Sequence, residues 1–356
     1  MARMRYQQAL ARALRDEMLR DPSVFVLGED VRASLRGVTR GLAAELGQER
    51  IIDTPISEQA FTGFAMGAAL AGHRPVVEYQ IPSLLFTAFE PIVNQAMKFR
   101  LMTGGQAKVP VTYIVPGSGA RMGLAAQHSD HPYAMFAQAG VKTVVPATAS
   151  DAYGLFVSAI RDDDPVVFFA PAAALGGREE VADDAGPIPL GVARVHREGD
   201  DVTVVAVGHL VREALKVAEE LAAGGADSAD GVAARGDAAA LGPISVEVFD
   251  PRTIYPFDWA GLAASVRKTG RLVVIDDTNR TCGLAAEVVA TAAEELADAL
   301  VAPPRRVTRA DAPIPFAVEL EVALLPSRAQ LADAIRSVAA IGPRPGAGAL
   351  AQEAVR

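Results

Sequence analysis

Three residues stand where acid–base chemistry could be done. Glu29 lies in LGED, residues 27–30, and Glu58 lies in DTPISEQAFTGFAMGAALAGHRPVVEYQ, which runs from Asp53 to Gln80. His128 sits in AAQHSDH, just after the glycine-rich PGSGARMG. A carboxyl group at the end of an apolar run can hold or pass a proton, and an imidazole can pair with a carboxylate or transfer a proton near neutral pH. Each residue also has an ordinary reading. Glu58 can be a helix-start acid favoured by the macrodipole, Glu29 a turn or capping acid, and His128 a loop histidine. His131 is three residues from His128, but a zinc site needs further ligands that no spacing here supplies, and no transition metal is assigned.

The elements that must position these residues alternate. Short β-branched runs, VFVLG from Val24, RPVVEY from Arg74, VPVTYIV from Val109, VKTVVP from Val141 and PVVFFA from Pro165, are separated by helical stretches. Strands apolar on both faces with helices between them predict a parallel sheet covered on two sides. A second series follows: DVTVVAVG from Asp201, VREALKVAEELAA, ISVEVFD from Ile244, a helix from Trp259 to Val266, RLVVID from Arg271 and a helix from Leu284 to Leu296. The fold class is therefore α/β with two doubly wound domains. The first is placed at 1–190, including Ala172 to Pro189 as a linker without period, and the second at 191–340. Residues Ala223 to Gly242, rich in Ala, Gly and Asp, have little apolar surface to offset ordering and are expected to form a mobile insertion. Residues 341–356 read as a loose tail.

Half of the 356 residues are hydrophobic and 22% are charged, a globular balance, and the formal net charge of −9 disfavours a nucleic-acid partner. Cys282 is the single cysteine, so no intrachain disulfide is available and the expected compartment is the reducing cytoplasm. The N-terminal stretch carries charges throughout, unlike a signal peptide, and no stretch predicts a membrane span.

The segment around Glu58 resembles the beta subunit of the decarboxylating component of 2-oxoacid dehydrogenase complexes, the group of pyruvate, branched-chain and acetoin dehydrogenases. The likeness runs from about residue 4 to about residue 340 and is carried by VFVLGEDV, RIIDTPISEQAFTGFAMGAALAGHRPVVE, IVNQAMKFR, MTGGQAKVPV, AAQHS, SAIRDDDPVVFF, VEVFDPRTIYPFD, KTGRLVVIDD and RRVTRADAPIPF. EYQ followed by FTAF is closer to the branched-chain subgroup. The resemblance implies a pyrimidine-binding thiamine diphosphate domain followed by a transketolase C-terminal-like domain. It implies oxidative decarboxylation of a 2-oxoacid with acyl transfer to lipoamide.

What the resemblance implies for the site can be stated residue by residue. Glu58 takes the position of the carboxylate that bonds the pyrimidine ring nitrogen of thiamine diphosphate, so that the aminopyrimidine can act as the cofactor's own base. Glu29 matches a second acid near the pocket that helps to connect paired active sites, and His128 a histidine that handles the substrate. Gln80 and Ile56 match residues lining the cofactor pocket, and Leu84 stands where an aromatic residue usually contacts the pyrimidine. Ala159, Ile160, Asp162 and Asp164 match a turn that binds potassium through carbonyl oxygens and a carboxylate in several relatives. The ordinary reading of those acids is a solvated turn.

Relatives that hold the whole cofactor carry Gly-Asp-Gly for magnesium and the diphosphate, and this chain has none. The diphosphate end, with its magnesium, is then expected from an alpha subunit in an α2β2 assembly, with a lipoyl acyltransferase core as a further partner. Three further places depart from the family pattern: Asp130 in His128-Ser129-Asp130, the pair Asp276-Asp277 in place of His-Glu, and Cys282 in Thr281-Cys282-Gly283. Half of a split transketolase or carboligase, passing the same intermediate to an aldehyde, is the competing enzyme reading. A non-catalytic assembly subunit is the other, against which stand Glu58, Glu29 and His128.

Overall fold

The structure, a computed structural model, describes residues 2–120, 123–224 and 242–342. The expected mobile insertion and tail lie almost wholly outside the described residues. The chain divides into two compact units. The first is Met1–Gly191 with Arg252–Pro256 and Pro313–Val322, and the second is Val192–Pro251, Phe257–Ala312 and Ala323–Arg356.

The first unit begins with β1 (Ala2–Arg5) and α1 (Tyr6–Arg20), followed by β2 (Val24–Gly28), α2 (Leu42–Leu46), β3 (Ile51–Asp53), α3 (Glu58–Leu70) and β4 (Arg74–Glu78). Next come α4 (Leu84–Thr87), a π-helical segment (Glu90–Ala96), α5 (Met97–Met102), β5 (Thr112–Ser118), α6 (Tyr133–Gln138), β6 (Lys142–Val144), α7 (Ala149–Arg161), β7 (Val166–Pro171) and β8 (Arg178–Val181). The second unit supplies β9 (Arg194–Arg197), β10 (Val202–Ala206), α8 (Leu210–Ala222), β11 (Val246–Asp250), α9 (Trp259–Thr269), β13 (Leu272–Asn279), α10 (Leu284–Glu295), β14 (Arg305–Arg309) and α12 (Arg328–Ala339). Strand β12 (Thr253–Tyr255) belongs to the first unit, and α11 (Val318–Leu324) begins there.

The large sheet has the order β12-β6-β7-β5-β4-β2-β3, parallel except for β12 at one edge. Its strands alternate between two buried faces, as the continuous apolar runs require. Val24, Val26, Val76, Ile114 and Phe168 join the core beneath α1 and α7. Tyr113 and Phe169 are also fully buried but outside that cluster, and Phe169 meets Tyr133 and Phe136 of α6 ring to ring. Helix α1 buries Tyr6, Ala9, Leu10, Ala13, Leu14, Glu17 and Met18, the three- and four-residue spacing of one helical face. The one charge on that face, Glu17, accepts from Arg161 at 2.9 and 2.6 Å and from Arg20 at 2.9 and 2.7 Å.

The second sheet, β14-β13-β10-β11-β9, is parallel apart from β9. Several short strands escape the sequence reading, two of them informative. The segment expected to be an irregular linker contains β8, which pairs antiparallel with β1, and Thr253–Tyr255 adds a seventh strand to the first sheet. Both are short, and β8 reads REEV, so neither carries an apolar period. Among the described residues no helix is long and apolar enough to cross a membrane.

Candidate active site

In an open parallel sheet the loops after the strands' C-terminal ends form the natural binding crevice. Glu29 follows β2, Glu58 follows β3, Gln80 follows β4, and the loop carrying His128 follows β5. Strands β2 and β4 are neighbours, with Gly28 opposite Glu78. A side chain at Gly28 is excluded, because a Cβ there would lie 2.2 Å from the Glu78 carbonyl oxygen and its φ is +153°.

Glu58 is the first residue of α3 and is half-buried. Its carbonyl accepts from the Thr62 hydroxyl, and Thr62 Oγ1 in turn lies 2.6 Å from the Tyr79 hydroxyl. Tyr79 is fully buried, with its ring packed on Phe61. Burial first, then the neighbouring Tyr113 and the charge of Glu58, hold its phenol well above the usual range, so it stays protonated. Glu29 is half-buried, and its carboxyl is pushed up by burial first, then by the charges of Glu58 and Asp30. The fold thus brings Glu29 and Glu58, which are 29 positions apart, within electrostatic reach of each other.

Gln80 joins the group. Its Nε2 donates to the Glu29 carbonyl at 2.8 Å and to Glu78 Oε1 at 3.2 Å, and its own carbonyl accepts from Arg36 Nε at 3.0 Å. Glu78, which the sequence reading passed over, has no exposed surface to speak of, and burial pushes its carboxyl up to about 7 against the opposing pull of Gln80 and Arg36. The signal was present in EYQ. An acid that closes an apolar strand beside LGED must lie at the same sheet end.

Glu29 Oε1, Thr54 Oγ1, Glu78 Oε2 and Gln80 Oε1 are buried without a hydrogen-bond partner among the described residues. Three buried carboxyl or carboxamide oxygens and one hydroxyl, gathered around β2, β3 and β4, are costly unless a ligand satisfies them. An aminopyrimidine, which presents N–H donors and a basic ring nitrogen, fits that donor-poor, acid-rich end.

The other expected residues are placed less tightly. Ile56 is 83% exposed, and Leu84, half-buried, opens α4. His128 lies in a turn closed by its own N–H to the Ala125 carbonyl, and makes no side-chain hydrogen bond among the described residues. The turn after α7 lies at the opposite end of the sheet, leading into β7. There the Ala159 carbonyl accepts from Thr112 Oγ1 at 3.0 Å, and the Ile160 and Asp162 carbonyls accept from Arg74 at 3.2 and 2.8 Å. Lys142 Nζ sits 2.7 and 2.9 Å from the Asp162 carboxylate and 3.0 Å from Asp164, which also pairs with Arg100 at 2.7 Å. Both carboxylates are therefore charge-compensated by protein cations.

Of the departures, Asp276 is a structural acid, accepting from the Thr278 amide and hydroxyl at 3.0 and 2.7 Å and from the Ala285 amide at 3.4 Å. Asp277 lies 3.9 Å from His209, and Cys282 is exposed with a φ of +56°.

Residues 2–177 match the family described as transketolase, pyrimidine binding domain, and residues 191–229 and 232–331 match transketolase, C-terminal domain. The pyruvate dehydrogenase E1 component subunit beta of Rickettsia bellii is 40% identical over 336 residues, covering 93% of this chain and 97% of that protein. The chain belongs to the 2-oxoacid dehydrogenase beta-subunit family. Within it, the acetoin:2,6-dichlorophenolindophenol oxidoreductase subunit beta of Bacillus subtilis is 39% identical over 334 residues, 90% of this chain and 92% of its own length. The mitochondrial pyruvate dehydrogenase E1 subunit beta-1 of Arabidopsis thaliana is 40% identical over 342 residues, 94% and 88%. Among solved structures, a split-gene transketolase in an inactive beta4 tetramer has a TM-score of 0.74 at 23% identity, covering 96% of this chain and 100% of that one, a likeness of fold. The transketolase-like fold and family membership expected from the motifs are thereby shown.

Proposed function

We propose that this beta subunit supplies the cofactor-activating half of a thiamine-diphosphate-dependent 2-oxoacid dehydrogenase, acyl-transferring, and works only with an alpha subunit in an α2β2 assembly. The observation that carries the reading is the convergence of Glu29, Glu58 and Gln80 on one sheet end, with buried acceptors left for a donor-bearing ring. When bound, thiamine diphosphate supplies the electron sink that lets the bond between the 2-oxoacid carbonyl and carboxyl carbons break. Glu58 holds a proton between its carboxyl oxygen and the pyrimidine ring nitrogen. Ile56 and Leu84 bound the ring with apolar surface. Glu29, whose raised carboxyl keeps negative charge from accumulating beside Glu58, is the second member of the acid pair. His128, whose imidazole makes no hydrogen bond among the described residues, receives the substrate carboxylate or returns a proton to the product.

The alpha subunit holds magnesium and the diphosphate end, because this chain has no Gly-Asp-Gly segment for them. A lipoyl acyltransferase is the acceptor that a full complex would add. Potassium is left out of the proposal, since the acids of its expected turn are paired with Lys142 and Arg100.

The test is co-purification with the alpha subunit and a screen of 2-oxoacids for decarboxylation with an artificial electron acceptor. Turnover that needs both chains supports the proposal. Carbon–carbon bond formation with an aldehyde and no electron transfer would move the chain to the split transketolase reading. No cofactor-dependent reaction in the assembled pair would leave an assembly subunit.

A further inference from the structure

Glu78 is fully buried at the end of β4, yet among the described residues its side chain accepts a single hydrogen bond, from Gln80. The Gln80 amide spends both of its hydrogens inward, one on Glu78 Oε1 and one on the Glu29 carbonyl. Turning the carboxamide over would set its oxygen against the Glu29 carbonyl and, with Glu78 ionised, against a second acceptor, which replaces hydrogen bonds with repulsive contacts. With the nitrogen committed, the oxygen is the end left over, and it is buried and without a partner among the described residues. The main chain of Gln80 is held as well, by Arg36.

We propose that Glu78 is a positioning residue: by accepting one Gln80 amide hydrogen from inside the fold, it fixes the carboxamide so that Gln80 Oε1 is presented as the acceptor for an N–H or O–H group of the bound cofactor or substrate. This deepens the reading above and rests on it for the identity of the ligand. The groups that face Glu78 are Gln80 on its own chain segment and Arg36 from the loop after β2, and the guanidinium offsets part of the cost of a charge at Glu78.

Three variants of the full chain test it: Glu78→Met, which removes the anchor, Glu78→Gln, which keeps an acceptor oxygen, and Gln80→Met. Each is assembled with the alpha subunit, and both the Kd for thiamine diphosphate with magnesium and the KM for the 2-oxoacid are measured. Glu78→Met and Gln80→Met are each expected to weaken the same one of these constants by about tenfold, the scale of one lost hydrogen bond. The double variant should be no worse than either single, and Glu78→Gln should recover most of the loss. Which constant moves tells whether the donor belongs to cofactor or substrate. A loss in Gln80→Met alone, with Glu78→Met within twofold of the parent, overturns the proposal.

A second readout needs no cofactor. In the full chain labelled with amide-15N glutamine, the Gln80 side-chain pair is expected to exchange slowly with solvent and to shift as pH passes about 7. In Glu78→Met the pair should exchange faster and no longer titrate. Unchanged exchange in that variant overturns the anchoring, whether or not the assembled protein binds thiamine diphosphate. Failure of cofactor binding in the unsubstituted assembly sinks the proposed function instead.

Discussion

Glu29, Glu58 and Glu78 are three carboxyls in one small region, and they are unequal because their surroundings are. Glu58 sits at a helix start and half-buried, Glu29 is raised by burial and by its acidic neighbours, and Glu78 is raised to about 7 by full burial. For Glu58→Gln in the assembled enzyme, size and hydrogen bonding are kept while proton exchange with the pyrimidine nitrogen is lost. Steady-state turnover should fall about 10²- to 10⁴-fold with the melting temperature nearly unchanged, and unchanged turnover would make Glu58 a structural acid. Glu78 makes a different prediction, about stability. A carboxyl raised in the folded state keeps a proton that the unfolded chain has already released, so its contribution is full below the unfolded value near 4.5 and is lost as pH rises through about 7. The parent chain should therefore lose on the order of 3 kcal/mol between about pH 4.5 and pH 7.5 relative to Glu78→Gln. Chemical denaturation of the two proteins across that range measures it, and parallel curves would show that Glu78 does not titrate there.

The elements around these residues were legible where apolar periodicity was strong. Helix α1, helix α8 and the buried strands follow from residue spacing alone, as do the strand ends that carry Glu29 and Glu58. Among the elements that stayed hidden were β8 and β12, whose pairing depends on partners far away in the chain, Arg3 with Glu180 at 177 positions and Val144 with Thr253 at 109 — distances at which local pattern carries no information. Glu78 was hidden for another reason, since sequence shows an acid after an apolar run but not whether the neighbouring strand buries it. Two substitutions probe the elements that were legible. Leu10→Ala empties a fully buried position between α1 and α7 and should cost about 2–5 kcal/mol in urea unfolding. Gly28→Ala should disrupt the β2–β4 pair that aligns Glu29 with Glu78, because the new methyl meets backbone. It should lower both the melting temperature and turnover, and an active variant of parental stability would show that β2 can shift without consequence.

At the scale of the whole molecule, the proposed function gives this chain one half of a site. The sheet end described above offers carboxyls and carboxamide oxygens, groups that suit a ring bearing hydrogen-bond donors. Those groups do not suit a magnesium diphosphate, whose negative oxygens repel carboxylates and call for cations or a row of backbone N–H donors. The formal net charge of −9 adds to that repulsion. Most of the affinity for thiamine diphosphate should then reside at the diphosphate end, outside this chain, because charge-assisted bonds to phosphate are roughly twice as strong as the neutral bonds available at the pyrimidine. Isothermal calorimetry on the chain alone should accordingly show weak binding that magnesium does not improve, and no turnover with any 2-oxoacid. Adding the alpha subunit should restore both tight binding and magnesium dependence. Tight, magnesium-dependent binding by the isolated chain would mean that it holds a complete cofactor site, and the division of labour between two subunits would have to be abandoned.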